Sequence, residues 1–207
     1  MMEQSAINKI TLRGTIIATR MTSKNRAIYT IATDGDKGKS EYPEVIHLIK
    51  SSEEVRCIGD NVTAICHARS GKKIGEDNKT VYLKQIVVDR ITKSERLLNN
   101  YFDNLPDDGM TPEDINEFVF CGEVYRVVDK PGGRENVLVT LKIPDGKYNN
   151  YVEIAGFRKN ADKMRKAKVG EYMAIAGSIR TQRKHQKNVF DYVAKDVYLY
   201  NNDESEE

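Results

Sequence analysis

Tryptophan is absent from this chain, and there are only three cysteines, three histidines and five prolines in 207 residues. Cys57, Cys66 and Cys121 are odd in number and form no CxxC pair. That pattern excludes a disulfide framework or a zinc site and leaves three small buried residues as the expectation. His47, His67 and His185 have no metal-ligand spacing. There is no GxxxxGK(S/T) phosphate loop and no GxSxG elbow. An enzyme is therefore not expected, nor a cofactor or a metal. No apolar run approaches the roughly 20 residues of a membrane span. The opening MMEQSAINKI has no apolar leader stretch. A soluble cytoplasmic protein with no membrane partner is expected.

The charges are numerous and unevenly placed. Residues 1–95 carry 16 Lys and Arg against 12 Asp and Glu, and residues 117–200 carry 16 against 10. Between them, residues 96–116 carry 1 against 5, and the last seven residues add four acids. Two basic blocks are thus separated, and followed, by acidic segments. Basic blocks suit a polyanionic partner.

The basic blocks also resemble each other. Gly14 in ITLRGTIIATR falls over Gly122 in FVFCGEVYRVV, an offset of 108. Gly59 in GDNVTAICHARSGKK falls over Gly170 in GEYMAIAGSIRTQRK, an offset of 111. Tyr82 and Val87 align with Tyr192 and Val197 at an offset of 110. Three segments in one order at nearly one offset predict two copies of a single unit.

Each copy reads as β-rich. Ile10, Leu12, Gly14 and Ile16 alternate with polar residues, the period of a half-buried strand. Further strands are predicted over 27–33, 44–50, 61–69 and 80–91, and in the second copy over 118–128, 136–143, 150–156, 171–180 and 189–200. Short helical stretches, 51–57 and 160–168, fall between the third and fourth strands, with Ser51 or Ser52 and Asn160 as N-caps. Five strands with that helix is the order of an OB-fold, although SH3-like and other small β folds also have about five. The expected fold class is all-β with short helices: two tandem five-stranded OB-fold barrels joined by a helical connector. The expected divisions are 1–93 for the first barrel, 94–116 for an acidic helical connector, 117–200 for the second barrel and 201–207 for a disordered acidic tail.

Particular residues resemble the bacterial single-stranded DNA-binding proteins. Asn8-Lys9-Ile10-Thr11-Leu12-Arg13-Gly14 is similar to that family's first strand. Tyr151 to Phe157 resembles its third strand, and Ile175-Ala176-Gly177-Ser178-Ile179-Arg180-Thr181 its fourth. The departures are two copies per chain, no tryptophan and a tail without an apolar tip. They suggest a divergent member from a phage or mobile element. The resemblance implies sequence-independent binding and protection of single-stranded DNA in replication, recombination or conjugative transfer. Replication or recombination proteins are further partners it implies. A homodimer would supply the four barrels that family members present. An OB-fold adaptor that mainly binds proteins, or an RNA-binding OB protein, remain alternatives.

The binding residues would lie where the fourth strand of each copy runs into its hairpin. Arg69, Lys72 and Lys73 stand there in the first copy, and Arg180, Arg183, Lys184 and His185 in the second. Such cations neutralise phosphates and release counterions. Unpaired bases also expose their faces to aromatic rings. The candidates are Tyr125, Tyr148, Tyr151, Phe157, Phe190 and Tyr192, with Arg158 beside them, and Tyr29, Tyr42, His47 and Tyr82 in the first copy. Any one of these rings could instead point into a barrel core. The second copy, richer in aromatics and cations, is expected to bind more tightly.

Overall fold

Residues Ile10, Leu12, Gly14 and Ile16 all turn inward on one strand and are fully buried or nearly so. The computed structural model describes residues 6–34, 39–74, 80–94, 114–129, 136–184 and 187–200. The expected helical connector over 95–113 and the tail 201–207 lie outside the described residues. The elements are β1 (Ile7–Ser23), β2 (Arg26–Asp34), β3 (Ser40–Glu41), β4 (Glu44–Leu48), β5 (Asn61–Ile74), β6 (Thr80–Lys93), β7 (Ile115–Asp129), β8 (Asn136–Asp145), β9 (Tyr148–Phe157), α1 (Lys159–Arg165), β10 (Tyr172–Lys184) and β11 (Lys187–Tyr200). Ile115 and Asn116, expected in the connector, open β7.

The fold is all-β, with an OB-type five-stranded barrel, additional strands and one short helix among the described residues. Strands β1, β2, β4, β6 and β5 pair in that order, and β5 returns to β1. The link between β4 and β6 is parallel, Ile46 opposite Val87. Strands β7, β8, β9, β11 and β10 pair in the corresponding order, and β10 returns to β7.

Antiparallel pairing of β1 with β7 joins these groups, running from Ile7 opposite Cys121 to Arg13 opposite Ile115. Ile10 faces Phe118 at its centre. Those two residues are equivalent at the 108 offset, so the pairing has the geometry of a two-fold axis. Asn8 donates to the Ala68 carbonyl and accepts from the Ala68 N–H, both at 2.8 Å. Asn116 does the same with Ile179, at 2.8 and 2.9 Å. Each side-chain amide thereby satisfies a main-chain pair that would be costly to leave bare.

Two glycines are required by close approach. A Cβ at Gly14 would strike the Ala32 carbonyl, and one at Gly177 the Val193 carbonyl. Gly177 sits at the bulge in the β10–β11 ladder, where the strands crowd. The core is otherwise aliphatic with a few rings, among them Phe118 and Phe120, stacked at 4.5 Å.

Several local expectations are corrected. Residues 51–57 form no helix: 51 and 52 lie in a turn, and 53–57 are irregular. Glu53 accepts the Lys50 N–H at 3.0 Å, and the Arg56 N–H is taken by the Tyr29 hydroxyl at 3.1 Å, so these donors are satisfied without a helix. The helix at 160–168 forms as Lys159–Arg165, with Arg158 and not Asn160 at the N-cap position and no side-chain cap bond. Asn160 lies inside α1, and its Nδ2 donates to the Ala194 and Lys195 carbonyls at 3.0 and 2.9 Å. Tyr82 does not correspond to Tyr192. The β5–β6 ladder sets Lys72 opposite Tyr82, and the β10–β11 ladder sets Arg183 opposite Asn188. Tyr192 is therefore the counterpart of Ile86, because the second hairpin is shorter. Of the cysteines expected to be buried, Cys57 is exposed. Burial pushes the Cys66 and Cys121 thiols up, so both stay protonated at neutral pH.

Candidate nucleic-acid interface

Strand β9 turns Tyr151, Glu153, Ala155 and Phe157 away from the core, because Val152, Ile154 and Gly156 between them are buried. Tyr151 is 41% exposed and meets the half-exposed Tyr125 edge-on, with ring centroids 4.8 Å apart. Tyr125 gets there through a bulge between Val124 and Arg126. Lys142, opposite Tyr151 on β8, is paired with Glu123 at 2.9 Å. Phe157 is 36% exposed, and the Arg180 guanidinium sits 5.8 Å from its ring centre. Tyr148, 79% exposed, stands at the β8–β9 hairpin after Gly146. Arg158 is exposed, with φ of 50° at the helix start. A face bearing exposed rings and cations results, a surface on which unpaired bases can stack.

The first-copy cations join this face from the other half. Ser70 donates its N–H to Asn150 Oδ1 at 3.1 Å and accepts the Tyr151 N–H at 2.9 Å. Exposed Arg69 and Lys72 on β5 therefore lie beside β9. The mirrored contact is also present. Thr181 donates its N–H and its hydroxyl to Glu41 Oε2, and accepts the Tyr42 N–H at 3.0 Å. Each half thus sets its fourth strand, at the approach to its cationic hairpin, against the third-strand region of the other.

Other candidates are placed differently. His47 is 4% exposed and cannot stack on a base. Its ring lies 5.8 Å from buried Tyr29, and its Nε2 reaches Glu53 at 3.3 Å. Period-two alternation located the strand, but the inward side is the one His47 occupies. Phe190 is half-buried against the core, edge-on to Tyr192 at 5.4 Å. Lys73, Tyr82, Arg183 and Lys184 belong to the described backbone of their strands, while His185 lies outside the described residues. On the α1 surface, Arg165 is committed to Asp129 and Asp162, both at 2.7 Å. The candidates Tyr29 and Tyr192 are buried, whereas Tyr42 is 41% exposed and is the counterpart of Tyr151 at an offset of 109. Ser70, Thr181 and Lys84 carry contacts between the halves that residue type alone does not single out.

Burial lowers the pKa of His47 below its ordinary 6.5, with Glu53 opposing that shift. Below about pH 6.5 the unfolded chain takes up a proton that the folded chain resists. Stability from this group is complete above that pH and is lost as pH falls toward the folded value. Thermal melts should therefore show Tm dropping between pH 7 and 5, and His47→Gln should flatten that part of the profile. An equally steep profile in the variant would contradict the assignment.

Among the described residues no group of three or more His, Cys, Asp or Glu could hold a metal ion, and no helix is long and apolar enough to cross a membrane. No protein-family model and no curated protein matches the sequence. Solved structures do match. A deletion mutant of the single-stranded DNA binding protein from Thermus aquaticus superposes with a TM-score of 0.65 at 16% identity, covering 96% of this chain and 97% of that one. The wild-type protein from the same organism gives 0.61 at 17%, covering 95% and 94%. The fold is that of an OB protein. More narrowly, it is like that of the Thermus aquaticus single-stranded DNA binding protein along nearly the whole chain.

Proposed function

We propose that this chain binds single-stranded DNA without sequence preference, through two tandem OB barrels formed by residues 1–93 and 117–200. The observation that carries the reading is the exposed set Tyr125, Tyr151 and Phe157 with Arg180 over the last ring. Rings alone would suit a protein partner, and cations alone would suit any polyanion. Together, on β7, β9 and β10, they suit a polymer with both bare bases and phosphates. Duplex DNA hides its base faces and offers only the phosphates. The likeness in fold to the Thermus aquaticus protein supports the same reading, as does the repeated placement of cations at both hairpins. A homodimer of such chains would present four barrels.

Fluorescence anisotropy with equal-length poly-dT, duplex DNA and RNA, titrated with salt, tests this. Poly-dT should bind at least about tenfold tighter than duplex, with a steep salt dependence. Equal affinity for duplex would refute it. Tighter binding of RNA would favour the RNA-binding alternative, and no nucleic-acid binding would favour the adaptor.

A further inference from the structure

A cleft of about 230 Å³ opens where the two halves meet. The first half lines it with Ile28 and Ile46, which are apolar, and with the cations of Arg26 and Lys84. The second half contributes Phe190 and Thr181. Tyr42 also lines it and is 41% exposed. The walls are held in place. Lys84 is drawn across the junction by Glu153 at 3.1 Å and Asp191 at 3.8 Å. The Thr181 hydroxyl ties β10 to Glu41 and to the Tyr42 main chain.

The chemistry of the lining narrows what it can hold. The volume is below the roughly 300–1,000 Å³ of pockets for drug-sized ligands. Aromatic and aliphatic walls suit a flat heterocycle. Glu44 and Gln85, also on the lining, offer groups that can hydrogen-bond its edge. Arg26 brings positive charge, and its buried Nε–H has no acceptor. Tyr42 and Tyr151 are counterparts: each gives its main-chain N–H to a hydroxyl of the opposite half, Thr181 and Ser70. One of these rings lies on an open strand face, and the other lines a cleft.

We infer that this junction cleft takes one unpaired nucleotide, its base against Tyr42 and Phe190 and its phosphate toward Arg26, so that a single strand is held by both halves at once. The inference rests on the single-strand reading above. A paired base cannot enter, because its faces and edge are already occupied in the duplex. A strand long enough to reach both the cleft and the β9 face gains from the second contact as an intramolecular event. A strand too short to reach both gains nothing from it.

The full-length protein, its Tyr42→Ala variant and its Val189→Trp variant are compared on short and long oligo-dT, about six and about thirty nucleotides. Val189 is a partly exposed cleft residue, and the larger ring fills the space. Both variants should melt like wild type, bind the short oligomer unchanged and bind the long one about five- to twentyfold more weakly. In parallel, long dT carrying 5-iododeoxyuridine is irradiated on the wild-type protein, and peptides are mapped by mass spectrometry. Crosslinks at Tyr42 or Phe190 are expected. If both variants match wild type at both lengths while wild type binds dT, the cleft assignment is wrong and the single-strand reading stands. Weaker binding without a crosslink at either ring also overturns the cleft. If wild type binds neither oligomer, the single-strand reading itself has failed.

Discussion

Replacing Tyr151 or Phe157 by alanine should weaken binding of oligo-dT by about 1–3 kcal/mol each, roughly 5- to 150-fold, while the salt dependence stays nearly unchanged. Stacking is not ionic, so removing a ring releases no fewer counterions. Folding should survive, because both rings are partly exposed on the outer side of β9. Tyr151 keeps its strand position through a main-chain bond to Ser70 that alanine retains. Phe157 also positions the Arg180 guanidinium, so its loss should be the larger of the two and should carry a small decrease in salt slope. Anisotropy titrations at three salt concentrations separate the effects. Unchanged affinity in both folded variants would place the binding surface on another face.

Changing Arg180, Arg183 and Lys184 together to alanine should lower the salt slope for single strands by about two units, at roughly 0.7 per phosphate contact. The loss should be equal for every base sequence, since phosphate contacts carry no sequence information. On aromatic content alone, the matching change of Arg69, Lys72 and Lys73 would do less, since the first copy carries fewer rings on its strands. Contacts between the halves offset that difference. Ser70 is bonded to β9, so the first hairpin approaches the aromatic strand of the second half. The two triple variants should therefore reduce the slope to a similar extent. A clearly smaller effect at Arg69, Lys72 and Lys73 would mean that the strand does not pass between the halves.

Much of the strand layout could be read from the residues. Alternation placed β1 and its inward face, since Ile10, Leu12 and Ile16 have nowhere else to bury. The Gly-acid pairs at 59–60 and 170–171 marked equivalent turns. Both glycines adopt φ of 92°, and both donate their N–H to a first-strand carbonyl, that of Ile16 or Val124. Helix propensity was a poorer guide. Residues 51–57 have acceptable helix formers, yet the Tyr29 hydroxyl, 27 positions earlier, takes the Arg56 N–H. A tertiary partner that satisfies a backbone donor overrides a weak local preference. Similarly, Asn160 is a good cap by type, but the Ala194 and Lys195 carbonyls claim its amide.

The sequence alone determined the β class, the equivalent turns and the presence of rings and cations in matched segments, because these depend on period, residue type and spacing along the chain. The tertiary structure decided which rings are available and what stands next to them. Tyr151 and Phe157 face outward, while His47 and Tyr29 lie on strands of the same kind and face inward, and one residue of register separates the two outcomes. It also decided that the approach to each hairpin sits against the opposite half, through Ser70 to Asn150 and Thr181 to Glu41. Those contacts link residues 80 and 140 positions apart. Nothing local to either segment specifies them. They follow from the antiparallel pairing of β1 with β7, which turns the two halves about Ile10 and Phe118 and brings each fourth strand across to the other half's third.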